Sequence, residues 1–187
     1  MKKIIALGAS SSSKSINKTL AIYAASKVAD ASINVIDLKD YILPLYSVDA
    51  EGELGIPEGV HKLDNIIDSA DGLVISLAEH NGSYTAVFKN LIDWLSRIDI
   101  KVWKGKPMLL MATSPGRRGG ESVLAAAKSY FPFMEGNIVA DFSLPSFYDN
   151  FSNSGITNPA LASQLSEKIK LFAQSLETAA TLTSSKL

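Results

Sequence analysis

The stretch Ile4-Ile5-Ala6-Leu7-Gly8-Ala9-Ser10-Ser11-Ser12-Ser13-Lys14-Ser15-Ile16-Asn17 decides the fold. Its opening is a continuous apolar run closed by a glycine, the pattern of a strand buried on both faces of a parallel sheet. Its end leads into an alanine-rich segment, Ile16 to about Ala31, whose Leu20, Ala21, Ala24, Ala25 and Val28 share one helical face. Between strand and helix lie five serines, a lysine and, just beyond, an asparagine. Small hydroxyl side chains and backbone N–H groups beside a helix N-terminus favour an anion, so the stretch reads as a phosphate-binding loop. A solvated strand-to-helix turn with a serine N-cap is the plain alternative.

Outward from this unit the same alternation recurs. Ile33 to Leu38 reads as a second strand, followed by a long connection, Tyr41 to Ile56, that contains Pro44, Gly52 and Gly55. Pro57 suits the first position of a helix carrying Val60, Leu63, Ile66, Ile67 and Ala70, which Asp71-Gly72 stops. Leu73 to Leu77 is a third strand, leading into the polar turn Ala78 to Ser83 and a helix from Tyr84 to Arg97. Pro107 to Ala112 is a fourth strand, followed by the small-residue turn Thr113 to Gly120 and a helix from Glu121 to Phe131. Ile138 to Phe142 is a fifth strand, and a last helix runs from Pro159 to about Ala180, with Thr181 to Leu187 expected to fray.

Strands alternating with helices imply a parallel sheet covered on both sides. Right-handed crossovers leave a Rossmann order or the doubly wound order 2-1-3-4-5, and five strands favour the latter, a flavodoxin-like α/β fold in a single domain over residues 1–180. The turns after strands one, three and four then share the carboxyl edge, where such sheets bind ligands. Three polar loops on one edge make a composite site.

Composition narrows the function. At 187 residues with 47% hydrophobic and 20% charged side chains, the chain suits one globular domain. A net charge of −1 gives no electrostatic reason to expect nucleic acid or an anionic membrane. There is no cysteine, which excludes disulfides, thiolate metal sites and a cysteine nucleophile. His61 and His80 lack metal-ligand spacing, so no metal is expected. The apolar run before Gly8 is too short for a signal segment and no run is long enough to span a bilayer, which places the expected location in the cytoplasm.

The three loops together resemble the NAD(P)H-dependent FMN reductase family, which is flavodoxin-like and includes quinone, azo-dye and chromate reductases. The similarity runs from Lys3 to about Ala173. That family's first loop typically reads serine, any residue, arginine, two residues, serine, any residue, asparagine. Ser10, Ser15 and Asn17 keep the spacing, Ser12 stands in the arginine's place, and Lys14 is a neighbouring cation. The resemblance assigns Ser10, Ser15 and Asn17 to the FMN phosphate and counts Ser12 and Ile16 among the cofactor-binding residues. The second loop resembles Pro-Glu-Tyr-Asn-Gly-Ser followed by Lys-Asn and Asp-Trp, matched by Glu79, Asn81, Gly82, Ser83, Lys89, Asn90, Asp93 and Trp94. Ala78 replaces the proline and His80 the tyrosine, which puts His80 against the flavin ring in the family's pattern. Ser114, Pro115 and Gly116, with Gly119 and Gly120, resemble the turn at the ring's pyrimidine end.

The resemblance further implies that FMN carries the redox chemistry with NADPH or NADH as co-substrate, and that no protein residue is strictly required as a catalyst. The acceptor is a small molecule such as free flavin, a quinone, an azo compound or a metal oxyanion. A homodimer or homotetramer is implied, with Trp94 a buried anchor of the subunit interface, although Lys89 and Asp93 also read as a simple surface ion pair. Arg117 and Arg118 are candidates for attracting the dinucleotide's phosphates, and the segments Tyr41 to Ile56 and Phe147 to Phe151 for lining the acceptor pocket. A flavodoxin-like electron carrier, or a family member that has lost flavin binding, remain the alternatives at this level.

Overall fold

The computed structural model describes residues 1–184. Strand β1 (Lys2–Ala9) is followed by α1 (Ile16–Ala25), β2 (Ala31–Ile36), α2 (Val48–Leu54), α3 (Glu58–Asp68) and β3 (Gly72–Leu77). Next come α4 (Ala86–Ile98), β4 (Pro107–Thr113), α5 (Glu121–Tyr130), β5 (Asn137–Leu144), the short α6 (Phe147–Asn150) and α7 (Pro159–Ser184). The five strands form one parallel sheet in the order β2-β1-β3-β4-β5, the flavodoxin-like order expected.

Each sheet face has its own core. On one side Ile5, Leu7, Leu73, Ile75, Leu77 and Leu110 pack under α3, α4 and α5 through Leu63, Phe88, Leu91 and Val123. On the other, Ile4, Ala6, Val74, Leu109, Met111 and Phe142 pack under α1 and α7 through Leu20, Ala24, Phe172 and Leu176. Alternate residues of one strand serve opposite faces, which is why these strands read as unbroken apolar runs.

Several boundaries differ from the sequence reading. Helix α1 stops at Ala25 rather than near Ala31, because the chain turns at Asp30 (φ +52°), whose carbonyl accepts from Lys2 N–H as β2 begins. The long connection is not all loop: α2 forms inside it, its N-cap Ser47 accepting from Ala50 N–H at 3.0 Å and Gly55 (φ +68°) ending it. Pro57 is the N-cap residue of α3 rather than its first helical residue. The turn after β3 is a hairpin in which Glu79–His80 pair antiparallel with Ser83–Tyr84 across Asn81 and Gly82, both at positive φ. Helix α4 therefore starts at Ala86, with Thr85 as its N-cap, and not at Tyr84. Strand β5 is longer than expected. Helix α6 and a small hairpin, Phe151–Ser152 with Gly155–Ile156, occupy the segment before α7. Of the tail expected to fray, residues 185–187 lie outside the described residues.

Gly8 is where the carboxyl edge meets α1. A Cβ there would lie 2.3 Å from the Lys18 backbone nitrogen, so its absence lets the first turn of α1 rest directly on the strand. Gly52 in α2 is the opposite case, since a Cβ at that position would meet nothing within 4 Å. Gly8→Ala is expected to destabilise the fold by about 2 kcal/mol or more through overpacking, whereas Gly52→Ala should stabilise it by about 0.5–1 kcal/mol through helix propensity. Urea unfolding of both variants gives the two signs, and equal shifts would refute the assignment.

Candidate functional site

Site construction begins with the serine loop. Ser15 is the N-cap of α1: its Oγ accepts from Lys18 N–H at 3.1 Å and its carbonyl from Thr19 N–H at 3.1 Å. The N–H groups of Ile16 and Asn17, earlier in the same turn, have no partner among the described residues. In the loop itself Ser12 N–H donates to Ser10 Oγ (3.1 Å) and Lys14 N–H to Ser12 Oγ (3.3 Å). Each of these oxygens is thus occupied as an acceptor and keeps its O–H hydrogen for another group. The Lys14 ammonium has no carboxylate partner among the described residues. Lys18 is committed elsewhere, pairing with Asp37 at 2.6 Å beyond β2. The Lys18 hydrogen bond holds the Asp37 carboxyl below its ordinary 3.8. That pair stabilises the fold fully above 3.8, and its contribution is lost as pH falls through the lowered value.

Asn17 faces the sheet. It is 2% exposed; its Oδ1 accepts from Ser76 Oγ at 2.7 Å and from Thr113 N–H at 3.0 Å, and its Nδ2 donates to the Thr113 carbonyl at 3.0 Å. The side-chain amide therefore clamps the start of α1 to the ends of β3 and β4. Two buried threonines extend the clamp. Thr113 Oγ1 donates to Leu144 O at the end of β5 (2.7 Å), and Thr85 Oγ1 donates to Ala9 O at the end of β1 (2.9 Å) while accepting from Phe88 N–H. Ser76, Thr85 and Thr113 do not stand out in the sequence. For Ser76 and Thr113 the one available signal is a hydroxyl at the end of an otherwise apolar run, and for Thr85 it is a threonine just before a helical apolar stripe.

The second and third loops are tied to each other. Glu79 Oε2 accepts from Val123 N–H at 3.0 Å, the third N–H of α5, whose own N-cap is Gly120 and has no side chain to offer. Gly119 and Gly120 serve the turn: a Cβ on Gly119 would strike Ser143 Oγ at 2.3 Å, and one on Gly120 would meet Ala112 Cβ at 2.9 Å, both at positive φ. Ser114 Oγ donates to Gly116 O at 3.2 Å, and the Ser114 carbonyl accepts from Phe147 N–H, which brings α6 alongside.

An open cleft of about 220 Å³ gathers these loops. It is lined by Ser10, Ser12, Lys14, Ser15, Ile16 and Asn17 from the first, Ala78, Glu79 and His80 from the second, and Thr113, Ser114 and Pro115 from the third. Tyr148 of α6 joins them, 70% exposed. Asn81, Gly82, Gly116, Gly119 and Gly120 are not among the lining residues; they shape the turns. Arg117 and Arg118 are exposed outside the cleft, with Arg118 hydrogen-bonded to Ser122 Oγ.

Trp94 corrects an expectation. It is fully buried in its own chain, its Nε1 donating to Pro44 O at 2.8 Å and its ring edge-on to Tyr46 at 5.1 Å, so it cannot be an anchor for a neighbouring subunit. Asn90 takes the same segment, accepting from Tyr46 N–H at 2.8 Å and donating to Pro44 O at 3.0 Å. The pair fixes the long connection to α4. Lys89 and Asp93 form the simple surface ion pair.

Fold and site together define a flavodoxin-like domain with a donor-lined, three-loop cleft at the carboxyl edge of its sheet. The profile of the NADPH-dependent FMN reductase family matches residues 2–149. The chain belongs to that family. A quinone reductase of Escherichia coli (strain K12) is 42% identical over 95 residues, covering 50% of each protein. A 2-hydroxy-1,4-benzoquinone reductase of Burkholderia sp is 40% identical over 107 residues, covering 56% of each. The match thus spans about half the length of these curated relatives. Among solved structures, FerB of Paracoccus denitrificans, a flavoenzyme NAD(P)H:(acceptor) oxidoreductase, superposes over 96% of this chain and 99% of its own with a TM-score of 0.73 and 25% identity. An FMN-dependent NADH-azoreductase of Bacillus anthracis str. Ames Ancestor, solved with FMN, shares the fold at a TM-score of 0.58 and 15% identity over 95% of this chain and 99% of that one.

Replacing Asn17 with alanine strands the Ser76 hydroxyl and both Thr113 backbone groups in the interior. A loss of about 2–4 kcal/mol is expected, measured by urea unfolding. A loss no greater than that of an exposed-site variant such as Asn65→Ala, on the open face of α3, would remove the clamp.

Proposed function

We propose that the three-loop cleft binds FMN and that the protein is an NAD(P)H-dependent oxidoreductase reducing a small acceptor such as free flavin, a quinone, an azo compound or a metal oxyanion. The observation that carries this reading is a set of donors lacking acceptors at one place. The Ile16 and Asn17 N–H groups, the Ser10 and Ser12 hydroxyls and the unpaired Lys14 all border the cleft. Such a set at a helix N-terminus suits a phosphate monoester. The donor set fits FMN without the loop arginine usual in the family, and Lys14 supplies the positive charge. Glu79, the carboxylate bordering the cleft, is drawn to the α5 N-terminus by its bond to Val123 N–H, which turns its charge toward a positive dipole.

Bound FMN supplies hydride acceptance and donation; the protein's task is placement. Ala78, His80, Ser114 and Pro115, which line the cleft on its second and third loops, would hold the ring system, and His80 and Tyr148, both exposed, would be open to a second substrate. No acid or base from the chain is needed for hydride transfer itself. In this reading the protein works in the cytoplasm as a homodimer or homotetramer. Self-association is supported by the exposed apolar side chains Ile42, Leu45, Val48 and Leu54 on and around α2. Among the described residues no helix is long and apolar enough to cross a membrane.

Purified protein incubated with FMN is expected to be yellow and to bleach on anaerobic addition of NADPH; a protein left colourless by excess FMN would overturn the proposal. Lys14→Ala should weaken FMN about 5- to 20-fold, the worth of one charge-assisted contact, leave riboflavin affinity unchanged, and recover FMN affinity when combined with Ser12→Arg. Equal losses for FMN and riboflavin would take Lys14 off the phosphate. Replacing Arg117 and Arg118 together with alanine is expected to raise KM for NADPH with kcat unchanged, and an unaltered KM rules them out as dinucleotide contacts.

A further inference from the structure

Of Phe147, Tyr148 and Phe151, Tyr148 alone lines the cleft. Phe147 is buried and stacks on Phe151, with ring centroids 4.8 Å apart and planes 17° from parallel, and Phe151 meets Tyr23 of α1 edge-on at 5.3 Å. Those two rings are committed to the interior. The Tyr148 ring stands at right angles to Phe147, 5.6 Å between centroids, and keeps most of its surface in solvent.

Its position is fixed by the turn that precedes it. Ser146 lies in the left-handed region, at φ +45° and ψ +60°, with no side-chain hydrogen bond capping α6. A residue other than glycine is disfavoured there and persists where surrounding structure holds it. Here Ser146 N–H donates to Gly116 O at 2.9 Å, Phe147 N–H to Ser114 O at 3.0 Å, and Asn150 Nδ2 to Pro145 O at 2.9 Å. Two of these bonds run to the third loop, so α6 is fastened to the cleft wall and carries Tyr148 with it.

A large aromatic ring held in water at a cleft offers its surface to a second planar ring. The charges in the lining point the same way. Lys14 and Glu79 are its lysine and its carboxylate, Lys14 belongs to the phosphate in the FMN reading, and Arg117 and Arg118 lie outside the cleft. A compact inorganic anion therefore meets no uncommitted cation beside Tyr148.

We propose that Tyr148 is a specificity-determining residue: the second substrate stacks on its ring, which selects a planar, uncharged aromatic acceptor over a compact anion such as a metal oxyanion. The assignment rests on the flavin reading given above and narrows its range of acceptors.

Oxidised, FMN-loaded protein titrated calorimetrically with 2-naphthol and with decahydro-2-naphthol tests the stacking without turnover, since the two share a skeleton and a hydroxyl and differ in planarity and π-surface. Tyr148→Leu, which keeps apolar bulk and removes the ring, should weaken 2-naphthol about 3- to 10-fold, the worth of one aromatic pair, and leave decahydro-2-naphthol within about twofold. Tyr148→Phe should leave both unchanged. At saturating NADPH, Tyr148→Leu should raise KM for 1,4-naphthoquinone by a similar factor with kcat held, and leave KM for ferricyanide unchanged. Unaltered 2-naphthol binding, equal losses for the two probes, a Tyr148→Phe variant as weak as Tyr148→Leu, or a ferricyanide KM that moves with that of the quinone would each overturn the role of Tyr148 and leave flavin binding standing. A protein that takes up no FMN would overturn both.

Discussion

The side-chain amide of Asn17 is the constraint on which the cleft depends. In a parallel sheet the strand ends are independent once the ladder stops, and each following loop can drift. Here one buried carboxamide reaches from the first turn of α1 to both β3 and β4, and it has the donor and acceptor needed to satisfy both sides at once. Gly8 makes the reach possible, since it pairs in register with Ser76 and lets α1 descend onto the sheet at that point. The unpaired N–H groups of Ile16 and Asn17 are thereby fixed relative to the strands rather than to a mobile loop. An anion site of this kind needs fixed donors, because donors that must reorganise on binding return much of their interaction energy as lost entropy.

The other two loops are held by the same logic with different chemistry. Glu79 lends its carboxylate to the start of α5, satisfying a helix N–H that Gly120 cannot cap and binding the hairpin to the third turn. Thr85 caps α4 and ties that cap back to the end of β1. Hydrogen bonds from one loop into the next helix, rather than within each loop, make three loops behave as one wall. The glycines at 119 and 120 are part of this, because the turn runs too close to Ser143 and Ala112 for any side chain.

Sheet order was legible in the sequence because buried parallel strands leave an unmistakable trace: Ile4 to Leu7, Leu73 to Leu77 and Pro107 to Ala112 are apolar on both faces, and helical stripes separate them. Helix α2 was not legible, since none of its residues is buried and a mid-helix glycine lowers its propensity, so it had no apolar stripe to read. The loops of the cleft were found through their serines and glycines, but side-chain direction was not. A buried asparagine that serves the sheet and an asparagine that faces a ligand are identical in sequence, and only the approach of α1 to β3 and β4 distinguishes them. Trp94 illustrates the same limit. Its spacing on α4 marks an anchor, yet whether it anchors another subunit or its own Pro44 depends on a connection whose path no periodicity encodes. Tyr148 reaches the cleft through α6, whose placement follows from backbone bonds to Ser114 and Gly116.

Ser12 shows how one substitution alters charge and loop geometry together. An arginine at this position would bring a bidentate cation to a phosphate, but it has no oxygen with which to accept from Lys14 N–H. Ser12 supplies that oxygen, and Ser10 does the same for Ser12 N–H, so the loop is braced by its own hydroxyls. Its cation then sits two residues on, at Lys14, as a flexible point charge rather than a planar fork. Shape and charge, which an arginine would have combined in one side chain, are divided between neighbours. In the proposed FMN site, geometry at the phosphate would rest on the backbone N–H groups anchored through Asn17, with the lysine adding attraction without setting orientation.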